Sequence, residues 1–334
     1  MNLLIAGHLG GTNVSGSFFR ACKKNGIPAE FFDIGPASSK YRIFNYLYWR
    51  FLGRRYPGMK RLNQALEIHP FQENQLLVTA GLCPIESKTL EQIKKKGVCC
   101  VNFMTDDPWN RNFKSGWSLQ ALKHYEIVFT PRRANIEDLE ALGCKRVSYL
   151  PFGYDEDQFH AVEMPEQYDV FFAGGADADR VPMLHSLIAA GLDVRLYGDY
   201  WKRFPETRSS HFGYAQPAKM CEGFAQARIS LVLVRRANRD GHVMRTFEAA
   251  ACKGCLLVED TQEHREIYGE SGEAVEYFSS HKEMLEKARY LLSHPHVRDK
   301  MREAVFQRLA ASGENTYFAR IQTVIHEAAK SGVV

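Results

Sequence analysis

The sequence predicts an α/β protein built from two Rossmann-like halves, and three observations carry this prediction. The chain has 334 residues, which corresponds to about two domains at ~150 residues each. Short apolar runs alternate with segments of helical period, the pattern of βα units around a parallel sheet. The alternation stops at residues 151–165, which carry prolines and acids without periodicity, and then restarts. We therefore predict a linker in that segment.

The first half, residues 1–150, contains six apolar runs that are short enough to be buried strands. They are residues 3–6, 29–33, 75–79, 99–104, 127–130 and 146–150. Between them, apolar residues recur at helical spacing, and this predicts helices over residues 16–25, 86–96 and 135–142. The order of strands and helices is that of a domain with a parallel sheet.

The second half, residues 151–314, resumes the same pattern after the linker. Strands are predicted at residues 168–173, 194–197, 229–234 and 256–259, and helices at residues 180–190, 218–227 and 244–252. The tail is helical at residues 281–292, 297–311 and about 317–328. The apolar positions of this last helix form one face, so we treat residues 315–334 as a separate terminal element.

Composition and cysteine content narrow the class of protein. Hydrophobic residues make up 45% of the chain and charged residues 25%, which excludes disordered, collagen-like and disulfide-scaffold proteins. The eight cysteines are too sparse for a disulfide framework, and Cys252 and Cys255 have no second Cys or His pair at zinc-binding spacing. We expect no metal site. The N-terminus has no basic leader region, and no run approaches the ~20 apolar residues of a membrane span, so we expect a cytoplasmic location.

The formal net charge of +4 conceals a difference between the halves, because residues 1–150 carry +9 and residues 151–334 carry −5. Residues 40–61 hold seven basic residues, seven aromatic residues and no acid. Positions 44, 47, 48, 51 and 52 form an apolar helical face, and the basic residues Arg42, Arg50, Arg54 and Arg55 flank it. Trp49, Arg50, Arg54 and Arg55 are the candidate acceptor or membrane contacts. A basic aromatic helix is typical of contact with an anionic membrane or an acidic glycan acceptor. A core-facing helix with a solvated basic side remains the alternative, and no nucleic-acid recognition motif accompanies the charge.

The glycine-containing loops that follow predicted strands exclude nicotinamide chemistry. A dinucleotide fingerprint requires G-x-G-x-x-G after a strand. The loop after the first strand lacks the second glycine, and the loop at Gly174 and Gly175 also departs from the pattern. Two Rossmann-like halves nevertheless favour a ligand at the carboxyl ends of their strands.

The most informative segment is residues 235–260, which begins where a predicted strand ends. Asp240 and Gly241 form a turn, and a helix starts near His242. The free N–H groups and the positive dipole of that helix end suit a diphosphate. Arg245 lies in the first turn, and Glu248 follows at i+3, where a carboxylate can accept hydrogen bonds from a vicinal diol. An ordinary amphipathic helix with an exposed Arg–Glu pair is the alternative interpretation.

This segment resembles the E-x7-E region of GT-B glycosyltransferases. Asp240 and Glu248 enclose seven residues, followed by Ala-Ala-Ala-Cys-Lys-Gly254 and the strand LLVED. The arrangement His242-x-x-Arg245-x-Phe247-Glu248 is most similar to the CgeB-like, spore-maturation branch of glycosyltransferase group 1. The resemblance covers residues 168–330. It implies two domains facing across a cleft, with the terminal helix crossing back to the first domain.

The resemblance also implies a nucleotide-sugar donor (a UDP-, GDP- or dTDP-sugar) bound mainly by the second half, with no permanent cofactor. The implied donor-binding residues are Gly174, Gly175, Arg180, Tyr197, Gly198, Asp240, His242, Arg245 and Glu248. In these roles Glu248 holds the ribose hydroxyls, while Arg180 and Arg245 neutralise the phosphates. Asp240 is one methylene shorter than the glutamate of the pattern, which weakens its expected contact with the sugar. Basic residues and the helix dipole replace a metal in stabilising the leaving group.

In the first half, His8 and the pair Asp106 and Asp107 follow strands and are candidate acceptor residues. Each could act as a general base for an acceptor hydroxyl, but a histidine that packs a turn and an Asp-Asp-Pro turn are equally simple explanations. A base is required only if the reaction inverts, and we favour retention. The acceptor would be a polysaccharide, glycolipid or protein. A GT-B nucleotide-sugar epimerase and a non-catalytic nucleotide- or glycan-binding protein remain the alternatives.

Overall fold

The computed structural model describes residues 2–330, which form two compact units. Within this range the first unit comprises residues 2–151, 237–239 and 317–330, and the second comprises residues 152–236 and 240–316. The predicted terminal segment ran to residue 334, and its last four residues lie outside the described range. Both units are parallel α/β structures, as the alternation of strands and helices predicted.

The first unit has a six-stranded sheet in the order β2-β1-β3-β4-β5-β6, with every pair parallel. Its strands are β1 (Leu3–Gly7), β2 (Ala29–Asp33), β3 (Leu76–Ala80), β4 (Cys99–Phe103), β5 (Ile127–Thr130) and β6 (Val147–Tyr149). Its helices through residue 151 are α1 (Val14–Lys24), α2 (Arg42–Phe51), α3 (Met59–Glu67), α4 (Ser87–Lys94), α5 (Gly116–Leu122) and α6 (Ile136–Leu142). All six predicted strands are present with small shifts at their ends, and the apolar runs of the four inner strands β1, β3, β4 and β5 fill the buried middle of the sheet.

The second unit has a five-stranded parallel sheet in the order β11-β10-β9-β7-β8. Its strands are β7 (Tyr168–Ala173), β8 (Val194–Tyr197), β9 (Ala227–Val232), β10 (Leu256–Glu259) and β11 (Glu276–Phe278). Its helices are α7 (Arg180–Ala189), α8 (Pro205–Arg208), α9 (Pro217–Gln226), α10 (Met244–Ala251), α11 (Gln262–Tyr268), α12 (His281–Ser293) and α13 (Pro295–Leu309). Strand β9 begins and ends two residues before the predicted strand, so the polar loop after it is longer than expected.

The last helix, α14 (Tyr317–Lys330), belongs to the first unit and packs against α1. The rings of Phe18 and Tyr317 meet edge to face at 5.6 Å. Arg320 Nε donates to the carbonyl of Pro151 at 3.0 Å. The predicted apolar face is the buried one, with Ile321 and Val324 fully covered.

The order of each sheet also places its ligand-binding edge. Strand order reverses at β1 and β3 in the first unit and at β7 and β9 in the second. In open parallel sheets, ligands bind at the carboxyl ends of the strands beside such a reversal. The loops that follow β1, β3, β7 and β9 are therefore the expected binding edges of the two units.

Close packing of α9 on β7 gives a first testable prediction. A Cβ on Gly223 would lie 2.3 Å from Cε2 of the buried Phe171 ring. We expect Gly223→Ala to destabilise the protein by about 1–3 kcal/mol, because a packed core cannot absorb the extra methyl group without strain. Gly116→Ala is the matched control, since its added Cβ meets nothing within 4 Å. Urea unfolding midpoints report the difference, and equal midpoints for the two variants would contradict it.

Candidate functional site

A cavity of about 140 Å³ opens in the second unit at the carboxyl ends of β7 and β8. It brings together five residues that the sequence predicted as donor-binding: Gly174, Gly175, Tyr197, Gly198 and Arg245. Asp199, Tyr214, Ala215 and Met220 complete much of the lining. The cavity thus combines exposed backbone, aromatic side chains and a single guanidinium.

Two glycine-containing loops form the backbone wall of this cavity. Gly198 adopts a φ of +129°, and a Cβ there would lie 2.4 Å from the carbonyl oxygen of Gly174. Gly174 N–H donates to Tyr197 O at 2.8 Å, and Trp201 Nε1 donates to Gly174 O at 2.8 Å. Only glycine at position 198 permits this approach, so the loops leave room for a ligand against their main chain.

Arg245 is the positive group on the cavity wall. It is the second residue of α10, and its Nε donates to Ala173 O at 3.2 Å. Its guanidinium also forms an ion pair with the Glu248 carboxylate one turn further along the helix. The Arg245 side chain is 22% exposed, whereas that of Glu248 is 1% exposed. Glu248 therefore lies beneath Arg245 and does not line the cavity, unlike the ribose contact that the resemblance implied.

The N-terminus of α10 is held in place by a chain of buried hydrogen bonds. Val243 N–H donates to Thr246 Oγ1 at 3.1 Å, and Thr246 Oγ1 lies 3.1 Å from His264 Nε2. His264 Nδ1 lies 2.8 Å from Glu259 O. The carbonyl can only accept, so Nδ1 carries the proton and Nε2 accepts from the threonine hydroxyl. This arrangement fixes the helix end that bears Arg245.

His264 makes that support dependent on pH. Burial lowers the pKa of its imidazole from the ordinary value of 6.5 to about 4. The folded state thus holds His264 neutral, and its contribution to stability is present above pH 6.5 and is lost as the pH falls towards 4. A shift of this size corresponds to about 3 kcal/mol. We expect His264→Asn to flatten the fall in urea midpoint between pH 7 and pH 4.5. The exposed His281 gives the control variant His281→Asn, and identical slopes in both would contradict the assignment.

Two of the predicted donor residues have structural roles instead. Arg180 is 6% exposed, and its guanidinium donates to Gly175 O at 3.2 Å and Leu233 O at 3.0 Å. Burial and the nearby charge of Arg235 lower the pKa of Arg180 to about 10. The prediction that Arg180 contacts a phosphate is wrong for this structure, because the side chain is buried outside the cavity lining and both of its Nη atoms donate to loop carbonyls.

His242 was the second predicted donor-binding residue that has a structural role instead. It is fully buried, its Nδ1 lies 2.6 Å from Glu263 Oε2, and its Nε2 accepts from the Phe152 N–H at 3.2 Å. Both ring nitrogens are thus occupied by protein groups, and His242 cannot also bind a donor at the surface.

Arg235 is a basic residue near the glycine loops that the sequence analysis did not single out. Its Nη2 would lie 3.4 Å from a Cβ added at Gly175, and its side chain is partly exposed. Its Nε lies 3.7 Å from Asp177 Oδ2. Asp240 accepts from the Arg235 N–H at 3.3 Å, so this acid shapes the loop that carries Arg235. The sequence signal that could have identified Arg235 was its position directly after the predicted strand of residues 229–234.

A second cavity, of about 210 Å³, lies in the first unit at the carboxyl ends of β1, β3 and β4. Three aromatic residues form part of its wall: Trp49, Tyr56 and Phe113. The Trp49 ring lies 5.9 Å from Tyr56 and 6.5 Å from Phe113. His8 and Asp106, two of the predicted acceptor residues, bring polar groups to the same cavity.

The two neighbouring aspartates at the end of β4 have different environments. Asp106 lines the cavity and accepts from Thr105 Oγ1 and Asn238 Nδ2, each at 3.2 Å. Asp107 is 1% exposed and accepts two bonds from Arg239, at 2.5 and 3.2 Å. Those bonds raise the pKa of the Arg239 guanidinium. Asp107 is thus a buried partner of Arg239, and the prediction that it is a candidate base is wrong.

Two of the predicted membrane-facing arginines are also occupied within the first unit. Arg54 donates to the carbonyls of Arg111, Asn112 and Lys114. Arg55 pairs with Glu86. Arg54 therefore holds the main chain of residues 111–114, whereas Arg55 stays 45% exposed beside Glu86. Arg50 is also exposed and lies over the Phe51 ring at 5.6 Å.

Neither a clustered metal site nor a helix able to cross a membrane occurs in the described part of the chain. Residues 2–330 contain no group of three or more His, Cys, Asp or Glu side chains placed to hold a metal ion. Over the same residues, every helix is too short or too polar to cross a bilayer.

Comparison with known proteins adds the family context. Residues 180–326 match a family model described as glycosyl transferase-like, which is a segment that contains α10, Arg245 and Glu248. This segment is similar to glycosyltransferase domains. The spore-maturation branch suggested by the motif is not confirmed by the match. No curated protein sequence matches the chain.

Solved structures of glycosyltransferases share the fold of the whole chain. Sucrose-phosphate synthase from Thermosynechococcus elongatus aligns at 10% identity with a TM-score of 0.66, covering 99% of this chain and all of the other. An α,α-trehalose-phosphate synthase (UDP-forming) from Burkholderia vietnamiensis aligns at 13% identity with a TM-score of 0.64, covering 98% of this chain and 100% of the other. The T4 phage protein BGT, solved with its UDP-glucose substrate, aligns at 13% identity with a TM-score of 0.61, covering 98% of this chain and 99% of the other. These likenesses establish the GT-B fold.

Proposed function

We propose that this glycosyltransferase transfers a sugar from a nucleotide-sugar donor to a hydroxyl of a polysaccharide, glycolipid or protein acceptor. The observation that carries the proposal is the cavity of the second unit, where two glycine loops and Arg245 meet at the carboxyl ends of β7 and β8. A nucleoside diphosphate needs close approach to main-chain groups and one or more cationic groups for its phosphates. The lining of this cavity provides both.

In the proposed mechanism, Arg245 stabilises the charge that develops on the departing diphosphate. Its guanidinium lies on the cavity wall at the start of α10, where the helix dipole adds further positive potential. Arg235, beside Gly175, supplies a second positive group. Stabilisation of the leaving group by fixed charges of this kind does not require a metal, and we propose a metal-independent reaction with a UDP-, GDP- or dTDP-sugar.

The acceptor hydroxyl is proposed to enter the cavity of the first unit. Its aromatic wall suits the apolar face of a sugar ring, and Asp106 can accept a hydrogen bond from a hydroxyl. His8 lies at the same cavity. We favour retention of configuration: the acceptor oxygen bonds to the sugar carbon as the bond to the diphosphate oxygen breaks, and the departing diphosphate takes the hydroxyl proton. Asp106 then orients the hydroxyl, and no dedicated base is needed. This acceptor cavity favours a transferase over a nucleotide-sugar epimerase, which has no acceptor to bind.

We place the enzyme in the cytoplasm at the inner face of the membrane, with no nucleic-acid partner. The support for this placement is the basic, aromatic segment of residues 40–61, because anionic lipids attract clustered basic residues and the interface accommodates aromatic ones.

A thermal-shift screen with UDP, GDP, dTDP, CMP and ADP tests the donor site. A nucleotide present at 100 times its Kd stabilises the folded state by about 2.7 kcal/mol, so we expect one of them to raise the melting temperature by several degrees. Arg289→Ala, an exposed arginine on α12, should leave that rise unchanged. A panel in which none of the nucleotides raises the melting temperature would contradict the proposed function.

A further inference from the structure

Helix α2 carries an unusually exposed apolar surface. None of its ten residues is buried. Seven large hydrophobic side chains on or beside it are 40–68% exposed: Tyr41, Ile43, Phe44, Tyr46, Leu47, Phe51 and Leu52. The sequence left open whether the apolar face of this segment packs on the core, and the structure shows that most of it faces outward. Contiguous exposed apolar surface of this kind marks an interaction site.

The charges around α2 identify the chemistry of its partner. No acidic residue occurs between Asp33 and Glu67. Lys40, Arg42 and Arg50 are exposed, and Lys40 Nζ lies over the Tyr41 ring at 5.0 Å. These side chains accompany the apolar ones instead of lying on a separate side of the protein. A surface that mixes basic and apolar side chains in this way suits a lipid bilayer. The long basic side chains can reach the headgroup phosphates, while the aromatic rings lie deeper among the acyl chains.

A second copy of the chain is a poorer occupant of this surface. Symmetric pairing would bring the same patch of each copy together, and Lys40, Arg42 and Arg50 would then face their own counterparts with no acid on α2 to compensate. An anionic bilayer supplies the missing negative charge at every point of contact.

Helix α2 also connects this surface to the cavity of the first unit. Trp49 belongs to α2 and lines that cavity together with Tyr56 and Phe113. Resting on the proposed function, we infer that α2 docks in the headgroup region of an anionic bilayer, so that the cavity mouth lies at the membrane and the acceptor is a glycan carried by a membrane lipid. A helix in this position penetrates about 5–10 Å, which keeps Trp49 within the interface.

Sedimentation with vesicles tests the docking. We expect the full chain to bind vesicles of phosphatidylcholine containing ~30% phosphatidylglycerol, to bind pure phosphatidylcholine far more weakly, and to be released by high salt. The triple variant Lys40→Gln, Arg42→Gln, Arg50→Gln should lose about 100-fold in partitioning, at ~1 kcal/mol for each charge. The triple variant Phe44→Ser, Leu47→Ser, Phe51→Ser should lose binding as well.

Matched controls separate docking from general charge and hydrophobicity. Lys88, Lys95 and Lys300 are exposed elsewhere, and their replacement by Gln should leave vesicle binding within about twofold of its original value, since they lie outside the patch. Ile68→Ser with Met164→Ser, two further exposed apolar positions, should do the same. Equal binding of the α2 triple variants and the wild type would overturn the inference, as would equal binding to neutral and anionic vesicles or self-association through α2 in the absence of lipid.

The position of Trp49 tests the link to the acceptor. Brominated lipids in the same vesicles should quench tryptophan fluorescence, and Trp49→Phe should remove most of the quenching, because collisional quenchers act only at contact distance. Undiminished quenching in Trp49→Phe would show that the cavity does not open at the membrane. The nucleotide melt shift should be the same in the α2 variants and the wild type. Failure of the wild type to bind anionic vesicles while it retains that shift would therefore count against the membrane inference alone, and absence of the shift in the wild type against the proposed function alone.

Discussion

Replacing Arg245 by alanine should lower kcat/KM for sugar transfer by about 100- to 1,000-fold, the cost of removing one preorganised group that stabilises developing charge. The rise in melting temperature caused by the bound nucleotide should disappear as well. Arg245 is the guanidinium on the wall of the donor cavity, and alanine leaves the diphosphate without that partner. Steady-state kinetics and the thermal-shift screen measure the two effects separately.

The ion pair with Glu248 requires a further variant. Alanine at position 245 leaves the buried Glu248 carboxylate without its partner, and an uncompensated buried charge destabilises a protein. The double variant Arg245→Ala, Glu248→Gln removes that charge, so it should recover stability without recovering transfer. Restored activity in the double variant would show that Arg245 acts through Glu248 and does not stabilise the leaving group.

Asp106→Asn should lower kcat/KM for the acceptor by about 10- to 100-fold, which corresponds to loss of a hydrogen bond to a charged group. The carboxylate lines the cavity of the first unit, and an amide accepts a hydroxyl hydrogen bond less strongly. Because the donor cavity contains no contribution from Asp106, the nucleotide melt shift should not change. Kinetics at varied acceptor concentration distinguish an effect on KM from one on kcat.

The neighbouring Asp107 provides the matched control for Asp106. Asp107→Asn breaks the paired hydrogen bonds with Arg239, so it should lower the urea midpoint while kcat/KM of the folded enzyme changes little. The reverse pattern, with normal stability and lost transfer in Asp107→Asn, would contradict the assignment. A loss in Asp106→Asn confined to kcat and exceeding 100-fold would identify a general base and would favour inversion over the retention we propose.

Local sequence pattern was sufficient to predict the framework. The central strands of both sheets, such as β1, β4, β5 and β10, are short apolar runs whose side chains are buried on both faces, so hydrophobicity alone marks them. The position of a loop after such a strand then predicts which residues reach the ligand-binding edge. Arg245, His8 and Asp106 were predicted in this way, whereas Gly174 and Gly198 were implied by the family resemblance, and each of the five lies at a cavity.

The sequence could not predict that α2 is exposed, because the amphipathic pattern of this helix suits packing on the core and contact with a membrane equally well. An amphipathic period indicates that one face of a helix is apolar and the other polar, but it does not indicate what covers the apolar face. The tertiary structure leaves the face uncovered.

Among charged residues, the sequence determined which types stand near each strand end, and only the tertiary structure decided which of them are available. Asp106 and Asp107 are adjacent and chemically alike, but Arg239 pairs with Asp107 from 132 residues away. Arg180 likewise donates to the carbonyl of Leu233, 53 residues further on. Such partners are brought together by the packing of remote elements, and a charged group that has satisfied its hydrogen bonds inside the protein is no longer available to a ligand.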